Sequence, residues 1–178
     1  MIYVTSDCHF NHASILSYEQ ESRPFDSIKD MNFALIENWN SIITNNDTVY
    51  ILGDFILGNP EEVLSIVNSL NGHKILIRGN HDSQAKINMY KELGIEVKDL
   101  DFFYYKEVLF FLCHFPYDNQ EFFDMMLINN PKTISLYGHV HSSAPTGLYK
   151  NTYHVGVDTN NFTPVSLEYI YREYKNSL

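Results

Sequence analysis

Five apolar, β-rich runs of this 178-residue chain each lead directly into a short polar cluster rich in Asp, His and Asn. The clusters are Asp7-Cys8-His9 after residues 1–6, Gly53-Asp54 after 48–52, Gly79-Asn80-His81-Asp82 after 74–78, Cys113-His114 after 108–112, and Gly138-His139-Val140-His141 after 133–137. An α/β sheet gathers its functional groups at the carboxyl ends of its strands. The pattern therefore predicts that the five clusters meet at one sheet edge and supply the ligands of a two-metal hydrolytic centre.

The length and composition predict one folded domain spanning residues 1–178. Hydrophobic residues make up 44% of the chain, which is enough to build a proper core. No apolar run approaches the roughly 20 residues that a membrane helix requires, so we expect no membrane partner. Strand-like sequence starts at Met1, where a signal peptide would show a charged and then an apolar region. We therefore expect a cytoplasmic protein.

The formal net charge of −10 argues against a broad nucleic-acid-binding surface, which would need clustered Lys and Arg. A nucleic-acid polymer is accordingly disfavoured as a substrate. A small phosphorylated substrate is compatible with the charge, because it meets mainly the local field of the bound cations. The sequence carries no readable signal for the oligomeric state.

Both cysteines of the chain, Cys8 and Cys113, lie next to predicted ligands. Strand alternation would turn their side chains to the opposite face from those ligands. We interpret them as two small buried thiols rather than as a disulfide or a Cys–metal site.

Helical patterns alternate with the predicted strands. The predicted helices cover residues 28–43 with Ser27 as the cap, 59–70 with Asn59 as the cap and Pro60 in the first turn, 83–93, and about 119–130. The C-terminal part is predicted to form two further strands, at 152–157 and 165–172. This order of strands and helices is typical of an α/β sandwich.

The five clusters, taken together, resemble the signature of the calcineurin-like metallophosphoesterases. All five blocks occur in the family order, between Asp7 and His141. The resemblance implies a four-layer α-β-β-α sandwich of two mixed β-sheets flanked by helices, with the metals held by loops at one sheet edge. It also implies a dinuclear metal-dependent phosphohydrolase in which a hydroxide that bridges the metals attacks phosphorus.

The resemblance also assigns ligands, position by position. It implies one metal bound by Asp7, His9 and His141, a second bound by Asn80, His114 and His139, and Asp54 bridging both. Two divalent ions are expected. Oxygen and nitrogen ligands of this kind favour Mn²⁺, our first expectation, and also suit Fe, Zn²⁺, Ni²⁺ or Co²⁺.

The resemblance places His81 opposite the leaving-group oxygen rather than on a metal. Two roles fit it: a general acid that protonates the departing alkoxide, which we favour, or an electrostatic contact to phosphate without proton transfer. Its neighbour Asp82 is expected to be structural.

Arg78, His12 and Asn80 are the predicted substrate contacts. A guanidinium at Arg78 suits bidentate phosphate binding, although an Arg at a strand end is often only a solvated charge. His12 belongs to an Asp-x-His-Phe-x-His opening similar to that of small bacterial and phage phosphoesterases; a histidine without a role at a helix start is the alternative. We assign His73 to a turn and His154 to a strand.

The segment after Asp54 departs from the protein Ser/Thr phosphatases. Leu57 and Gly58 stand where those enzymes carry the acid and the Arg of their Gly-Asp-x-x-Asp-Arg-Gly motif. The remaining pattern looks like the small stand-alone phosphoesterases of bacteria and phages. The leading hypothesis is therefore hydrolysis of a phosphodiester or a small phosphorylated metabolite. The alternatives are a phosphomonoesterase acting on nucleotides or proteins, and a non-catalytic scaffold of the same fold.

Overall fold

Ten β-strands and six α-helices lie in the part of the chain that the computed structural model describes, residues 1–116 and 120–178. The strands are β1 (Ile2–Thr5), β2 (Thr48–Leu52), β3 (His73–Ile77), β4 (Glu96–Lys98), β5 (Asp101–Tyr105), β6 (Val108–Leu112), β7 (Thr133–Tyr137), β8 (Leu148–Tyr149), β9 (Thr152–His154) and β10 (Val165–Ser166). The helices are α1 (Ile15–Tyr18), α2 (Ile28–Ile42), α3 (Pro60–Ser69), α4 (Gln84–Glu92), α5 (Gln120–Asn129) and α6 (Leu167–Asn176).

The strands form two five-stranded sheets. Sheet 1 has the order β10-β1-β2-β3-β4, in which β1 to β4 run parallel and β10 is antiparallel to β1. Sheet 2 has the order β5-β6-β7-β9-β8, in which β6, β7 and β9 are parallel and the two outer strands are antiparallel to their neighbours. Both sheets are mixed, as the resemblance implies.

Two hydrophobic clusters hold the layers together. One lies between sheet 1 and helices α2, α3 and α4, around Trp39 and Phe55, and the other lies between the two sheets, around Tyr50 and Phe110. Alternate residues of β2 enter different clusters, because successive side chains of a strand point to opposite faces. On the outer face of sheet 2, Phe123 of α5 stacks on Phe111 of β6. These contacts confirm the predicted sandwich of two mixed sheets flanked by helices.

The helix starts read from the sequence agree with the structure where a cap is present. The Ser27 side chain accepts a hydrogen bond from the backbone N–H of Asp30 and starts α2. Asn59 and Glu62 form a reciprocal capping box at the start of α3, with Pro60 in the first turn. The predicted fourth helix corresponds to α5, although its first residue, Asn119, lies outside the described residues.

The prediction of a strand over residues 165–172 is wrong. Only Val165–Ser166 pairs with β1, and the chain then forms helix α6. Ser166 accepts a hydrogen bond from the N–H of Tyr169, and Leu167, Ile170 and Tyr174 point into the core between the sheets. Their spacing of three and four residues is helical, and it outweighs the strand preference of Tyr169 and Tyr171, which lie between them.

Two smaller boundaries also differ from the predictions. His73 is the first residue of β3 rather than part of a turn, because its N–H is bonded to the carbonyl of Asp47 and extends the ladder. The predicted strand 152–157 ends at His154, and a 3₁₀ turn, Val157–Thr159, follows. None of the helices in the described ranges combines the length and apolar character needed to cross a membrane.

Candidate metal centre

The loops that leave the strands of both sheets are joined by backbone hydrogen bonds. The N–H of Asp7 donates to the carbonyl of Gly53 at 3.1 Å, and that of His9 to Asp54 at 3.0 Å. Ser6, at the end of β1, forms a bridge with Gly156, which connects sheet 1 to sheet 2 beside the predicted site. The carboxyl ends of strands from both sheets therefore meet, as the sequence pattern predicts.

Six of the seven predicted ligands form two compact groups. Asp7, His9 and His141 make the first group, and Asp54, His114 and His139 make the second. Within each group one potential ligand atom per residue lies within 4.8 Å of the others. Asp and His side chains at this separation can converge on a single divalent ion.

Asp54, a member of the second group, also lies beside the first group. Its Oδ2 is 3.6 Å from Nε2 of His9 in the first group and 3.6 Å from Nε2 of His114 in the second. The seventh predicted ligand, Asn80, places its Oδ1 2.9 Å from the same His114 Nε2. This arrangement suits a carboxylate shared by two cations.

Three histidines of the site are oriented through Nδ1. Nδ1 of His141 is 2.9 Å from a carboxylate oxygen of Asp158, that of His114 is 2.7 Å from the carbonyl of Leu52, and that of His9 is 2.9 Å from Nδ1 of His12. A hydrogen bond at one ring nitrogen fixes the tautomer and leaves the other nitrogen free to bind a metal. In His9 and His141 this leaves Nε2 for binding, and in His114 Nε2 faces Oδ1 of Asn80, the other predicted ligand of the second metal.

The polar atoms at the centre fit divalent cations. Nε2 of His9 is buried and makes no hydrogen bond within the described residues. Burial lowers the pKa of His9 to about 2, with the charge of Arg23 adding to the effect, so the ring is neutral. Burial also raises the pKa of Asp7, which shows that its ionised form needs compensating positive charge. A neutral imidazole and a carboxylate that lacks compensation are the ligands that a divalent ion satisfies.

Glycines precede three of the predicted ligands, Asp54, Asn80 and His139, where the loops approach each other closely. A Cβ on Gly79 would lie 2.6 Å from the backbone N of Asp54 and would collide with Oδ1 of the same residue. Five predicted ligands have a left-handed backbone, with φ between 48° and 72°: Asp7, His9, Asp54, His139 and His141. Asp and His tolerate this region better than most residues, whereas β-branched side chains do not.

Asp82 fastens two of these loops together. Its buried carboxylate accepts hydrogen bonds from the backbone N–H of Asp54 at 2.9 Å, Gly79 at 2.9 Å and Phe55 at 3.4 Å. The predicted structural role of Asp82 agrees with these contacts.

The sequence analysis assigns no role to Arg23 or Asp158. Both side chains are fully buried, and the Arg23 guanidinium donates to both carboxylate oxygens of Asp158, at 2.6 and 2.8 Å. Burial alone would raise the pKa of Asp158, but the hydrogen bonds from His141 and Arg23 hold it well below its usual range. Burial likewise opposes protonation of His141, but the bond to Asp158 outweighs it and the pKa of His141 is raised.

The residues predicted to contact substrate occupy different places. His81 is exposed, its N–H donates to Oδ1 of Asp54 at 2.8 Å, and its ring centroid is 5.2 Å from that of His9 and 5.7 Å from that of His12. His81 and His12 therefore lie together beside the two ligand groups. Arg78 instead lines a separate hollow of about 200 Å³ with Lys91 and Lys98.

The cysteines are only partly as predicted. Cys8 is buried, and burial raises the pKa of its thiol to about 12. Cys113 is half-buried rather than buried, because it lies one residue beyond the end of β6. The two residues do not form a disulfide with each other, and neither belongs to the two ligand groups.

The sequence of this chain matches the family model of the calcineurin-like phosphoesterases over residues 1–172. The chain belongs to this family. It is accordingly a metal-dependent phosphoester hydrolase, and the two ligand groups are the candidate sites for its divalent metals.

Relatives of this phosphoesterase extend over most of its length. An uncharacterized protein of Methanocaldococcus jannaschii is 33% identical over 176 residues, covering 95% of this chain and 88% of the relative. The structure of a protein of unknown function from Aquifex aeolicus superposes with a TM-score of 0.77 at 26% identity, covering 100% of this chain and 99% of the other. An archaeal phosphodiesterase shares the fold with a TM-score of 0.53 at 18% identity, over 87% of this chain and 81% of the other.

Proposed function

We propose that this phosphoesterase binds two divalent metals, Mn²⁺ first among them, and hydrolyses a phosphodiester or a small phosphorylated metabolite. The observation that carries the proposal is the position of Asp54, with Oδ2 at 3.6 Å from an Nε2 atom of each ligand group. The structural likeness to an archaeal phosphodiesterase supports the diester as the first substrate class to test. We further propose that the protein acts as one domain in the cytoplasm.

In this proposal the chain supplies two ligand groups and a proton donor. When bound, a pair of divalent ions acidifies a water molecule and binds the phosphoryl oxygens. Asp7, His9 and His141 would hold one ion, and Asn80, His114 and His139 would hold the other. Asp54 would be shared by both. Each histidine that is bonded through Nδ1 is already turned to present Nε2, so little reorganisation is needed on binding.

His81 is the proposed general acid. Its backbone N–H is bonded to Asp54, which fixes the start of its side chain beside the ligand groups. The ring is exposed and can therefore reach the leaving-group oxygen of a bound ester and donate a proton to it. His12 and Asn80, which lie beside the same groups, are the proposed substrate contacts. Arg78, in its separate hollow, is proposed as a contact only for a substrate that extends beyond the metal centre.

The test measures metal content and ester preference together. Metal-saturated wild-type protein should contain two Mn²⁺ per chain and should hydrolyse bis-p-nitrophenyl phosphate faster than p-nitrophenyl phosphate. Asp54→Asn should lose most activity and bind less metal, because a neutral amide is a poor bridge between two cations. Asp47→Asn is the matched control, since Asp47 is also buried but binds the N-terminus and Thr44.

Two results would contradict the proposal. A wild-type content that stays near one metal per chain would exclude the dinuclear centre. Full activity in Asp54→Asn would count against Asp54 as the bridge between two metals. Faster turnover of the monoester would instead support the phosphomonoesterase alternative while leaving the metal assignment intact.

A further inference from the structure

Arg23 and Asp158 form an ion pair in which both side chains are completely buried. Arg23 follows helix α1, and Asp158 lies in the 3₁₀ turn 135 residues later in the sequence. Removing two charges from water costs several kcal/mol per ion unless the geometry is very good and the remaining donors and acceptors are satisfied. The contacts that satisfy them therefore indicate what the pair does.

Apart from a contact of 3.6 Å between Nη1 of Arg23 and Sδ of Met31, the remaining side-chain hydrogen bonds of the pair all reach the first ligand group. Nη2 of Arg23 donates to the carbonyl of Asp7 at 2.6 Å, and Nη1 donates to the carbonyl of Cys8 at 3.2 Å. On the other side, Oδ2 of Asp158 is bonded to Nδ1 of His141 at 2.9 Å. One buried pair thus contacts the backbone that carries two ligands and the ring of the third.

These contacts act on the strained part of the site. Asp7 has φ 55° and His9 has φ 49°, and the carbonyls of Asp7 and Cys8 lie between those two residues. Left-handed backbone in non-glycine residues persists only where the surroundings hold it. Two charge-assisted hydrogen bonds from one guanidinium provide that restraint.

We propose that Arg23 and Asp158 are positioning residues that set the affinity of the Asp7–His9–His141 group for a divalent cation. The inference depends on the proposed function, because it takes this group to be a metal site. Arg23 and Asp158 have no such role at the second ligand group, because His114 of that group is oriented by the carbonyl of Leu52. A merely structural ion pair would change the stability of the whole protein and would not distinguish the two groups.

Mn²⁺ titration of metal-stripped protein distinguishes these roles. Wild-type protein should bind two ions, and their spin coupling should be visible in the electron paramagnetic resonance spectrum. In Asp158→Asn one ion should bind with unchanged affinity and the other about 10–100-fold more weakly, the usual effect of losing an outer-shell partner. At intermediate Mn²⁺ concentrations the spectrum of this variant should be that of an isolated ion.

Two further variants complete the test. Arg23→Lys keeps the positive charge, but its three N–H donors on a single nitrogen cannot replace the four bonds that the guanidinium makes to the carboxylate and the two carbonyls. It should therefore weaken the same single ion. Arg23→Lys also decides the question if Asp158→Asn does not fold. Asp47→Asn removes another buried carboxylate and should retain two coupled ions with wild-type affinity.

The inference would be overturned if the folded variant, Asp158→Asn or Arg23→Lys, bound both Mn²⁺ ions with wild-type affinity. It would also be overturned if the variant bound both ions more weakly by the same factor. Either result would leave the proposed function standing, because the wild type would still bind two metals. A wild-type protein that binds no Mn²⁺ pair would overturn both.

Discussion

Each side chain of this site contacts some residues that are close to it in the sequence and others that are distant in the sequence. The residues that form the two candidate ligand groups could be located from the sequence, because each follows a strand within a short motif such as Gly53-Asp54. Arg23 and Asp158 could not be paired, because no local pattern marks a contact between residues 135 positions apart. His12 was predicted at the cleft, and its bond to Nδ1 of His9 adds an orienting contact that no spacing rule indicates.

His81→Ala should keep the fold and both metals but lose roughly 10²–10⁴-fold in turnover, the usual range for a general acid. The loss of turnover should be smaller for p-nitrophenyl esters than for alkyl esters, because p-nitrophenolate is a good leaving group that departs without a proton. Steady-state kinetics on both ester types, with metal analysis of the same samples, measures this. His73→Ala is the control, since His73 is an exposed residue at the start of β3.

Equal losses for good and poor leaving groups would remove the general-acid role of His81 and leave an electrostatic one. Loss of metal in His81→Ala would show that this residue is a ligand.

His154 should make the stability of the metal-free protein depend on pH. Its ring is buried, with Nδ1 2.7 Å from Oγ1 of Thr159, and burial lowers its pKa from 6.5 to about 4. The unfolded chain therefore takes up a proton near pH 6.5 and the folded chain only near pH 4. The stabilising effect is complete above pH 6.5 and is lost as the pH falls toward 4, by roughly 3 kcal/mol in total.

Urea unfolding of metal-free protein across this pH range should show a smaller decline for His154→Gln than for the wild type. If the free energy of unfolding fell equally with pH in both proteins, His154 would not titrate as described.

Helices and strands were predictable to the extent that their signals are local. Helices α2 and α3 have caps that can be read directly, Ser27 and Asn59. The prediction for the C-terminal helix α6 is wrong because Val165, Tyr169 and Tyr171 favour strands. The buried stripe of this helix becomes decisive only once a core lies against it. The short edge strands, such as β8, depend on pairing with distant partners, which propensity does not indicate.

Ser166→Ala should destabilise the protein by about 1 kcal/mol, because the Ser166 side chain caps α6 by accepting from the N–H of Tyr169. Ser166→Asp should retain most of the stability, since a carboxylate caps equally well and interacts favourably with the helix dipole. Urea denaturation of the three proteins measures the difference. Equal destabilisation by Ala and Asp would show that packing, and not capping, matters at this position.

At the scale of the whole molecule, the candidate centre lies where the two sheets meet. Three of its loops follow β1, β2 and β3 of sheet 1, and two follow β6 and β7 of sheet 2. The sandwich could be anticipated from the order of strands and helices together with the family resemblance. Which loops touch is decided by tertiary contacts such as the Ser6–Gly156 bridge.

Metal binding should therefore stabilise the fold as a unit. With Mn²⁺ at roughly 100 times its dissociation constant, the folded state gains about 2.7 kcal/mol for each site, and each site then raises Tm by roughly 5–10 °C. Calorimetry with and without a chelator measures the rise. Asp54→Asn should show a smaller one, whereas a Tm independent of Mn²⁺ would contradict binding to the folded state.

The left-handed backbone at five predicted ligands has a consequence for evolutionary drift. Each such residue costs the folded state on the order of 1 kcal/mol, which glycine would not incur. A lineage released from selection for catalysis would thus gain stability by exchanging His139 for glycine, and this position would decay toward that residue in particular. A chain that carries acids and imidazoles at all five positions maintains them against its own conformational preference, which is the pattern expected while the chemistry is still under selection.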